Sequence, residues 1–302
     1  MSPVAQARGP GNPNQLPSEM LVERLFRRIS EVSSLPQVAI HIIDVANDKS
    51  SGAEDLLQAV QYDAALAMRI MRTVNSSYYS LQNKVGDLKV AITLLGFKEI
   101  RNLAMTAYVA QLFKKGAGYG TYTREGLWNH LVAVGTASRM IAQTTRRVPQ
   151  REAYLAGLLH DLGLILIDQY LHQPFRQVID GLNEETPLCD VEREVLGFDH
   201  AQLGEFVSMN WNLPDHLIAC IRYHHEPMIY DGPHREMVAT VALANFFCHA
   251  KGVSSLGVAD AEVPPAEVFT TAGLDKDLVA SIWEELDVKL AMSNVMDLAE
   301  TG

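Results

Sequence analysis

Five histidines and one aspartate in the second half of the chain have the residue types of a metal site. The set is His130, His160, Asp161, His200, His224 and His225. Neutral imidazole and carboxylate together suit Fe, Mn, Ni or Zn, and a bridging carboxylate allows one or two ions. A lone buried histidine is more often a hydrogen-bonded core residue than a ligand. The ordered set as a whole therefore carries the prediction.

The adjacent pair His160-Asp161 interrupts an otherwise apolar stretch, AGLLHDLGLILI, at residues 156–167. Helical periodicity predicts one continuous helix over 151–170 around it. Neighbouring helix positions reach one cavity only where both flank the same face, so the other ligands must come from different helices. The companions are predicted on helices 124–145 (His130), 199–211 (His200) and 214–225 (His224 and His225).

The elements that must position these side chains are helices. Helical periodicity runs from Ser18 onward, and no run of strict apolar–polar alternation indicates a strand, so the fold class is predicted to be all-α. A glycine cluster at 116–120 is the strongest break and predicts two helical lobes. The predicted segments are a disordered tail at 1–17, an N-terminal lobe at 18–115, a second lobe at 116–251, and a final segment at 252–302. That final segment is predicted as a loop over 252–272 and a C-terminal helix, 275–298, that packs on the domain.

Composition excludes several classes of protein. A formal net charge of −11 argues against nucleic-acid binding, because phosphate contacts need clustered Lys and Arg. No apolar run reaches the roughly 18 residues of a membrane helix, and the N-terminus lacks the pattern of a secretory signal. The three cysteines have no CxxC spacing and fit free thiols in the cytoplasm: Cys189, Cys220 and Cys248.

Long segments of the chain resemble the HDOD proteins, the "HD-related output domain" family of bacterial signalling. The resemblance runs from Ser33 to about His249. It rests on SSLPQVAIHIIDVAND (33–48), YDAALAMRIMRTVNSSYYS (62–80), VGDLKVAITLLGFKEIRNLAM (85–105), LWNHLVAVGTASRMIA (127–142), AYLAGLLHDLGLILI (153–167) and FDHAQLGEFVSMNWNLPDHLIACIRYHHEP (198–227). The resemblance implies a two-lobed, all-helical fold whose second lobe is HD-like.

HDOD domains are similar to HD-type metal phosphohydrolases, including the HD-GYP enzymes that cleave cyclic di-GMP. Their ligand pattern corresponds here to the six residues named above. This chain departs from the pattern of the active HD-type enzymes at three places. Asn245 stands where the last ligand should be an aspartate, Leu164 stands where HD-GYP enzymes have a lysine, and PMIYDGPH replaces the GxGYP loop. The remaining histidines fall outside the pattern and are expected at the surface or in the core; they include His172, His216, His234 and His249.

Three readings stay open. The preferred one is a cytoplasmic signalling module with no catalytic residue, which can still bind a divalent metal and acts through signalling proteins or a nucleotide second messenger. The alternative is a metal-dependent phosphohydrolase acting on a nucleotide or cyclic dinucleotide. The third is a scaffold in which the histidines only hydrogen-bond one another. A lack of metal in the purified protein would exclude the phosphohydrolase reading, whereas metal near stoichiometry would leave activity assays to separate it from the signalling module.

Overall fold

The computed structural model describes residues 18–32, 37–75, 84–113, 118–183, 186–258 and 263–293. The predicted tail at 1–17 lies outside these ranges. The described residues contain no β-strand, and their one β-bridge joins Tyr119 to Tyr122 in the connection between the two halves. The predicted all-α class is therefore confirmed. No helix in the described ranges combines the length and the apolar character that crossing a membrane requires.

The helices fall into three groups along the chain. The N-terminal group is α1 (Ser18–Val32), α2 (Gln37–Asn47), α3 (Ala53–Gln61), α4 (Ala64–Val74), α5 (Leu88–Leu95) and α6 (Phe97–Leu112). The second group is α7 (Arg124–Thr145), α8 (Gln150–Leu159), α9 (Leu162–Tyr170), α10 (His172–Gly181), α11 (Leu188–Leu196), α12 (His200–Asn210), α13 (Asp215–Tyr223) and α14 (Arg235–Ala250). The last group is α15 (Ala266–Ala272) and α16 (Lys276–Ser293).

Helices α2 to α6 pack on one another through their apolar faces. Ile42, Ile70 and Ile92, from three of these helices, are fully buried. Two aspartates begin helices by accepting a backbone N–H bond: Asp63 caps α4 and Asp87 caps α5, both at 2.9 Å. An N-cap of this kind satisfies an amide that has no partner within the helix.

Helix α1 packs on the second group of helices. The ring of Phe26 lies edge-on to Phe198 at 4.7 Å and also contacts Phe206 at 5.6 Å. Phe198 stands two residues before α12, and Phe206 is on α12 itself. The aromatic contact therefore ties the start of the described chain to the helix that begins with His200.

A buried ion pair joins α6 to α8. Arg101 donates from Nη2 to both carboxylate oxygens of Glu152, at 2.6 and 2.8 Å, and both side chains are almost fully buried. His216 on α13 contacts Glu152 Oε2 at 3.0 Å, and Asn47 on α2 accepts from Arg101 at 2.9 Å. Burial opposes ionisation of Glu152, but these neighbours hold the pKa of its carboxyl below the ordinary value. The network joins the first turn of α8 to α2 and α6 of the N-terminal group and to α13.

The end of the described chain differs in one respect from the sequence prediction. A short helix, α15, interrupts the loop predicted over 252–272. Pro265 precedes it, and Gly273, with φ of 80°, ends it in the left-handed conformation that favours glycine. Helix α16 packs on α7, with Ile282 and Leu286 buried in a cluster shared by α7, α14 and α15.

Candidate metal centre

His160 and Asp161 lie in a turn between two helices, so the continuous helix predicted over 151–170 is wrong. Helix α8 ends at Leu159 and α9 begins at Leu162. Nδ1 of His160 bonds to the carbonyl of Gly157 at 2.7 Å. In a continuous helix the two adjacent side chains would diverge, whereas this turn brings them within 3.3 Å of each other. The break is what allows both to face one cavity.

The four other predicted residues reach the same place from three helices. His130 lies within α7, His200 is the first residue of α12, and His224 and His225 follow the end of α13. The distances from Nε2 to the nearer Asp161 oxygen are 3.6 Å for His130, 3.3 Å for His160, 3.2 Å for His200 and 3.2 Å for His224. His225 comes in from the exposed side, with Nε2 3.1 Å from Nε2 of His200. All six residues are therefore brought together.

Four imidazoles are oriented by bonds at Nδ1. Three of these bonds go to backbone carbonyls: His130 to Val253 (2.9 Å), His160 to Gly157 (2.7 Å) and His224 to Ile221 (3.0 Å). A carbonyl can only accept, so Nδ1 carries the proton in each ring. In the neutral form of these rings the lone pair is consequently at Nε2, which faces Asp161. Metal-binding histidines are oriented in the same way.

The fourth orienting group is a carboxylate that the sequence prediction missed. Glu192 on α11 is fully buried, and its Oε2 accepts from Nδ1 of His200 at 2.7 Å and from the His200 backbone N–H at 2.9 Å. Burial alone would lower the pKa of His200, but Glu192 and Asp161 hold it well above its ordinary value. The protonated ring can then donate from Nε2 to His225. A metal ion at Nε2 would take the place of that proton.

The other groups of the centre favour the charge states that a metal requires. Burial, followed by the neighbouring imidazoles, lowers the pKa of His130 to about 3 and that of His224 to about 4. Burial opposes ionisation of Asp161, yet the imidazoles around it, His160 above all, hold the pKa of its carboxyl well below its usual range. Neutral imidazole and ionised carboxylate are the ligand forms of these side chains.

Two atoms of the six predicted residues are left unsatisfied. Asp161 Oδ1 and His224 Nε2 are only 3.2 Å apart, but neither has a hydrogen-bond partner among the described residues. With the proton of His224 on Nδ1, both atoms present lone pairs and neither can donate to the other. Buried polar atoms are normally paired, so such orphans call for a ligand. A cation between them would bind both atoms. The residues present therefore fit a metal ion.

The potential ligand atoms form two groups that share Asp161. One group is His130, His160 and Asp161, and the other is Asp161, His200, His224 and His225; within each group the ligand atoms lie within 4.8 Å of one another. A carboxylate that belongs to both groups has the position of a bridge between two ions. A third group joins Cys189 and Glu192 to His200, but burial raises the pKa of the Cys189 thiol to about 12. At neutral pH that thiol stays protonated and is a poor ligand.

A close approach of two backbones allows this arrangement. Gly163, in the first turn of α9, lies against the start of α12, and a Cβ atom at Gly163 would collide with the backbone carbonyl of His200. Gly157 plays a similar part on α8, where a Cβ would lie 2.6 Å from Ser138 Oγ on α7. Glycine at both positions brings the helices close enough for their ligand atoms to meet.

A cavity of about 630 Å³ opens from the centre towards the surface. Asp161, His224 and His225 line its inner part, and Asn245 stands on the wall formed by α14. Asn245 is buried, and its Oδ1 has no hydrogen-bond partner in the described part of the chain. Leu164, by contrast, is fully buried in the apolar core.

His249 is a neighbour of the centre that the sequence prediction set aside. It lines the same cavity, and its ring lies edge-on to His130 at 5.0 Å between ring centres. It sits four residues after Asn245, so helical spacing from Asn245 could have indicated it.

Comparison with known proteins concerns the family and the fold of the chain. The model of the HDOD domain family matches residues 32–227, which confirms the resemblance that the sequence motifs indicate. An HDOD domain protein of unknown function from Geobacter sulfurreducens shares the fold at a TM-score of 0.71, with 23% identity over 92% of this chain and 99% of that one. The chain spans less than half the length of the curated relatives that it matches.

Two further solved structures share the fold. A candidate signal transduction protein from Marinobacter aquaeolei VT8 has a TM-score of 0.74 and 24% identity, over 92% of this chain and 64% of that one. A candidate phosphohydrolase from Shewanella amazonensis SB2B has a TM-score of 0.66 and 22% identity, over 87% of this chain and 93% of that one. At these identities the likeness concerns the fold.

Proposed function

The chain belongs to the HDOD domain family, and on that premise we propose that it is a signalling module whose second lobe binds a divalent transition metal. In this proposal the module acts by binding a ligand or a partner protein, and it does not hydrolyse a phosphoester. One observation carries the metal assignment: Nε2 atoms converge on Asp161 while Asp161 Oδ1 and His224 Nε2 remain unsatisfied. Imidazoles that served only as a hydrogen-bonded scaffold would be expected to satisfy these atoms.

The ligands are the six predicted residues. One ion would be held by Asp161 with His200, His224 and His225, and a second ion, where present, would be held by Asp161 with His130 and His160. Fe, Mn, Ni and Zn all suit this set of nitrogens and carboxylate oxygens. When bound, such ions supply positive charge for an anionic group and lower the pKa of water.

Two residues argue against hydrolysis of a phosphoester. Asn245 leaves Asp161 as the single carboxylate among the proposed ligands, so two divalent ions would keep a large excess of positive charge. Leu164 is enclosed in the core and offers no cation to the charge that develops on a transferring phosphoryl group. A ligand can bind at such a centre without being turned over.

Partners and location follow from the family. We expect the chain to work in the cytoplasm with other signalling proteins, and we expect the cavity to take a nucleotide second messenger. The net charge of −11 argues against DNA or RNA as a partner. Cys189, Cys220 and Cys248 are buried free thiols, as a reducing compartment allows.

A second candidate function is a metal-dependent phosphohydrolase acting on a nucleotide or a cyclic dinucleotide. The sharing of Asp161 between two ligand groups favours it, because a carboxylate bridge is a feature of two-metal hydrolases. Purified protein with added Mn²⁺ should be assayed on cyclic dinucleotides and on a generic phosphodiester. We expect no turnover. Robust turnover that disappears in His160→Ala would replace the signalling proposal with this one.

Metal binding is tested by equilibrium dialysis against Mn²⁺ and Zn²⁺, followed by elemental analysis. Asp161→Asn and His224→Ala should lower metal affinity at least tenfold relative to the wild type. The matched control is His216→Ala, which removes a histidine of the same lobe that pairs with Glu152 away from the centre. If Asp161→Asn and His224→Ala retained the wild-type metal content, as the control should, the proposed ligand set would be wrong.

A further inference from the structure

Arg193 is the one cationic side chain that lines the cavity within the described part of the chain. The other charged residues of the lining are carboxylates, namely Asp161, Asp190 and Glu226. Bound metal ions would neutralise Asp161 and make the inner end of the cavity positive. The cavity would then present positive charge at two places, the metal centre and Arg193, which suits a ligand that carries anionic groups.

The guanidinium of Arg193 is held rigidly on one side and loosely on the other. Asp199 is fully buried, and its Oδ2 accepts from Nε at 2.8 Å and lies 2.6 Å from Nη2. Asp190 accepts from Nη1 at 3.0 Å, but its side chain is 57% exposed. An exposed ion pair contributes little, whereas a buried carboxylate cannot leave its cation without a large penalty. Asp190 is therefore the partner that can be exchanged.

The anchored side of Arg193 is connected to the metal centre. Asp199 also accepts from the backbone N–H of Gln202 at 2.8 Å and so caps α12, the helix whose first residue is His200. The position of the guanidinium is thus fixed relative to a proposed metal ligand. An arginine fixed in this way matches the planar, forked geometry that recognises phosphate.

We propose that Arg193 is the anion-binding residue of this cavity and that it exchanges Asp190 for a phosphate group of the ligand. This inference rests on the proposed function, because a second anionic part of the ligand lies towards the metal centre. The cavity volume of about 630 Å³ is that of a small-molecule site, and the half-buried ring of Phe246 on its wall can pack against a planar base. The ligand class is a phosphate ester of nucleotide size.

The test is calorimetric titration of the full chain with inorganic phosphate and with AMP, in the presence and absence of Mn²⁺. Arg193→Gln should weaken phosphate binding about ten- to a hundredfold, the effect of losing a charged hydrogen-bond partner. Asp190→Asn should tighten phosphate binding about two- to fivefold, because it removes the competing exposed partner. Elemental analysis should find the same metal content in both variants, since neither residue is a proposed ligand.

Three controls separate the exchange from general charge effects. Glu226→Gln removes a carboxylate of the same cavity that the proposal does not pair with Arg193, and it should change phosphate affinity less than Asp190→Asn. Arg147→Gln removes an arginine that pairs with Glu236 outside the cavity and should change nothing. In the Arg193→Gln background, Asp190→Asn should lose its effect, because the two changes act on one interaction.

The outcomes distinguish a failure of the Arg193 proposal from a failure of the proposed metal-binding function. Equal phosphate affinity in wild type, Arg193→Gln and Asp190→Asn overturns the role of Arg193, as does an absence of phosphate binding in every form. Failure of the wild type to hold Mn²⁺ refutes the proposed function instead, and the Arg193 contrast is then judged from the titrations without metal. If Arg193→Gln fails to fold, the phosphate affinities of Asp190→Asn and Glu226→Gln are compared instead, and equal affinities overturn the role of Arg193.

Discussion

Replacing Glu192 by glutamine should weaken metal binding about tenfold without removing any proposed ligand. Glu192 is fully buried, and its Oε2 lies 2.7 Å from Nδ1 of His200. Glutamine keeps the size of the side chain and an oxygen that can accept the same bond, but it loses the negative charge. The substitution therefore isolates what that charge contributes to the strength of His200 as a ligand.

The magnitude follows from the type of hydrogen bond. A bond to a charged group contributes about 1.5–3 kcal/mol, and a neutral one contributes about 0.5–1.5 kcal/mol. The difference is about 1–1.5 kcal/mol, and 1.4 kcal/mol corresponds to about a tenfold change in affinity. We expect the Mn²⁺ dissociation constant of Glu192→Gln to rise about five- to fifteenfold.

The assay is calorimetric titration of metal-free protein with Mn²⁺. Glu205→Gln is a matched control, because Glu205 lies on the same helix as His200 but pairs with Arg222; it should stay within about twofold of the wild type. Glu192→Gln should have no further effect once His200 is alanine, since the carboxylate acts through that ring. A Glu192→Gln protein that folds and binds Mn²⁺ as tightly as the wild type would refute the reasoning.

Three further predictions concern the fold that supports the centre. Glu152→Gln should lower the free energy of unfolding by about 3 kcal/mol at pH 7, measured in urea, because Arg101 keeps its charge in a buried place. The pKa of Glu152 is lowered in the folded protein, so its contribution is present above the ordinary value of 4.5 and is lost as pH falls through the folded pKa. The difference between variant and wild type should shrink in acid, and a difference that grew would contradict this. Gly163→Ala should cost about 1–3 kcal/mol in calorimetric melting and weaken Mn²⁺ binding, because its Cβ meets the carbonyl of His200. Gly86→Ala is its control, with open space around the added atom, and equal melting of the two variants would argue against the close approach. Cys189, Cys220 and Cys248 are all buried. A thiol reagent should therefore label none of them in the folded protein and all three in guanidinium. Prompt labelling of a cysteine in the folded protein would show that its side chain is not buried.

Local sequence signals predicted most of the helical framework. Helix α7 has the bounds that periodicity predicts, 124–145, because Thr123 is a recognisable N-cap and the apolar spacing is regular. The break at His160-Asp161 was not predicted, since no proline stands there and the nearest glycines, Gly157 and Gly163, lie inside the flanking helices. The turn depends on tertiary contacts, among them the approach of α9 to α12 at Gly163, which a single stretch of sequence does not contain.

The convergence of the five histidines on Asp161 was predictable from their order along the chain, whereas the groups that orient them were not. Three of the orienting groups are backbone carbonyls, which carry no sequence signal. Glu192 lies on the amphipathic helix α11, where a charged residue normally faces water. Its burial becomes visible only when α11 is seen against the start of α12.

Anomalous diffraction from crystals of the protein soaked in Mn²⁺ or Zn²⁺ tests the central claim most directly. The account predicts an anomalous peak in contact with Asp161 Oδ1 and His224 Nε2, with His200 as a further ligand, and allows a second peak between Asp161 Oδ2 and the nitrogens of His130 and His160. Zinc bonded to imidazole should lie about 2.0–2.1 Å from nitrogen. A soaked crystal with no peak at Asp161, in which the imidazoles hydrogen-bond its carboxylate directly, would contradict the account.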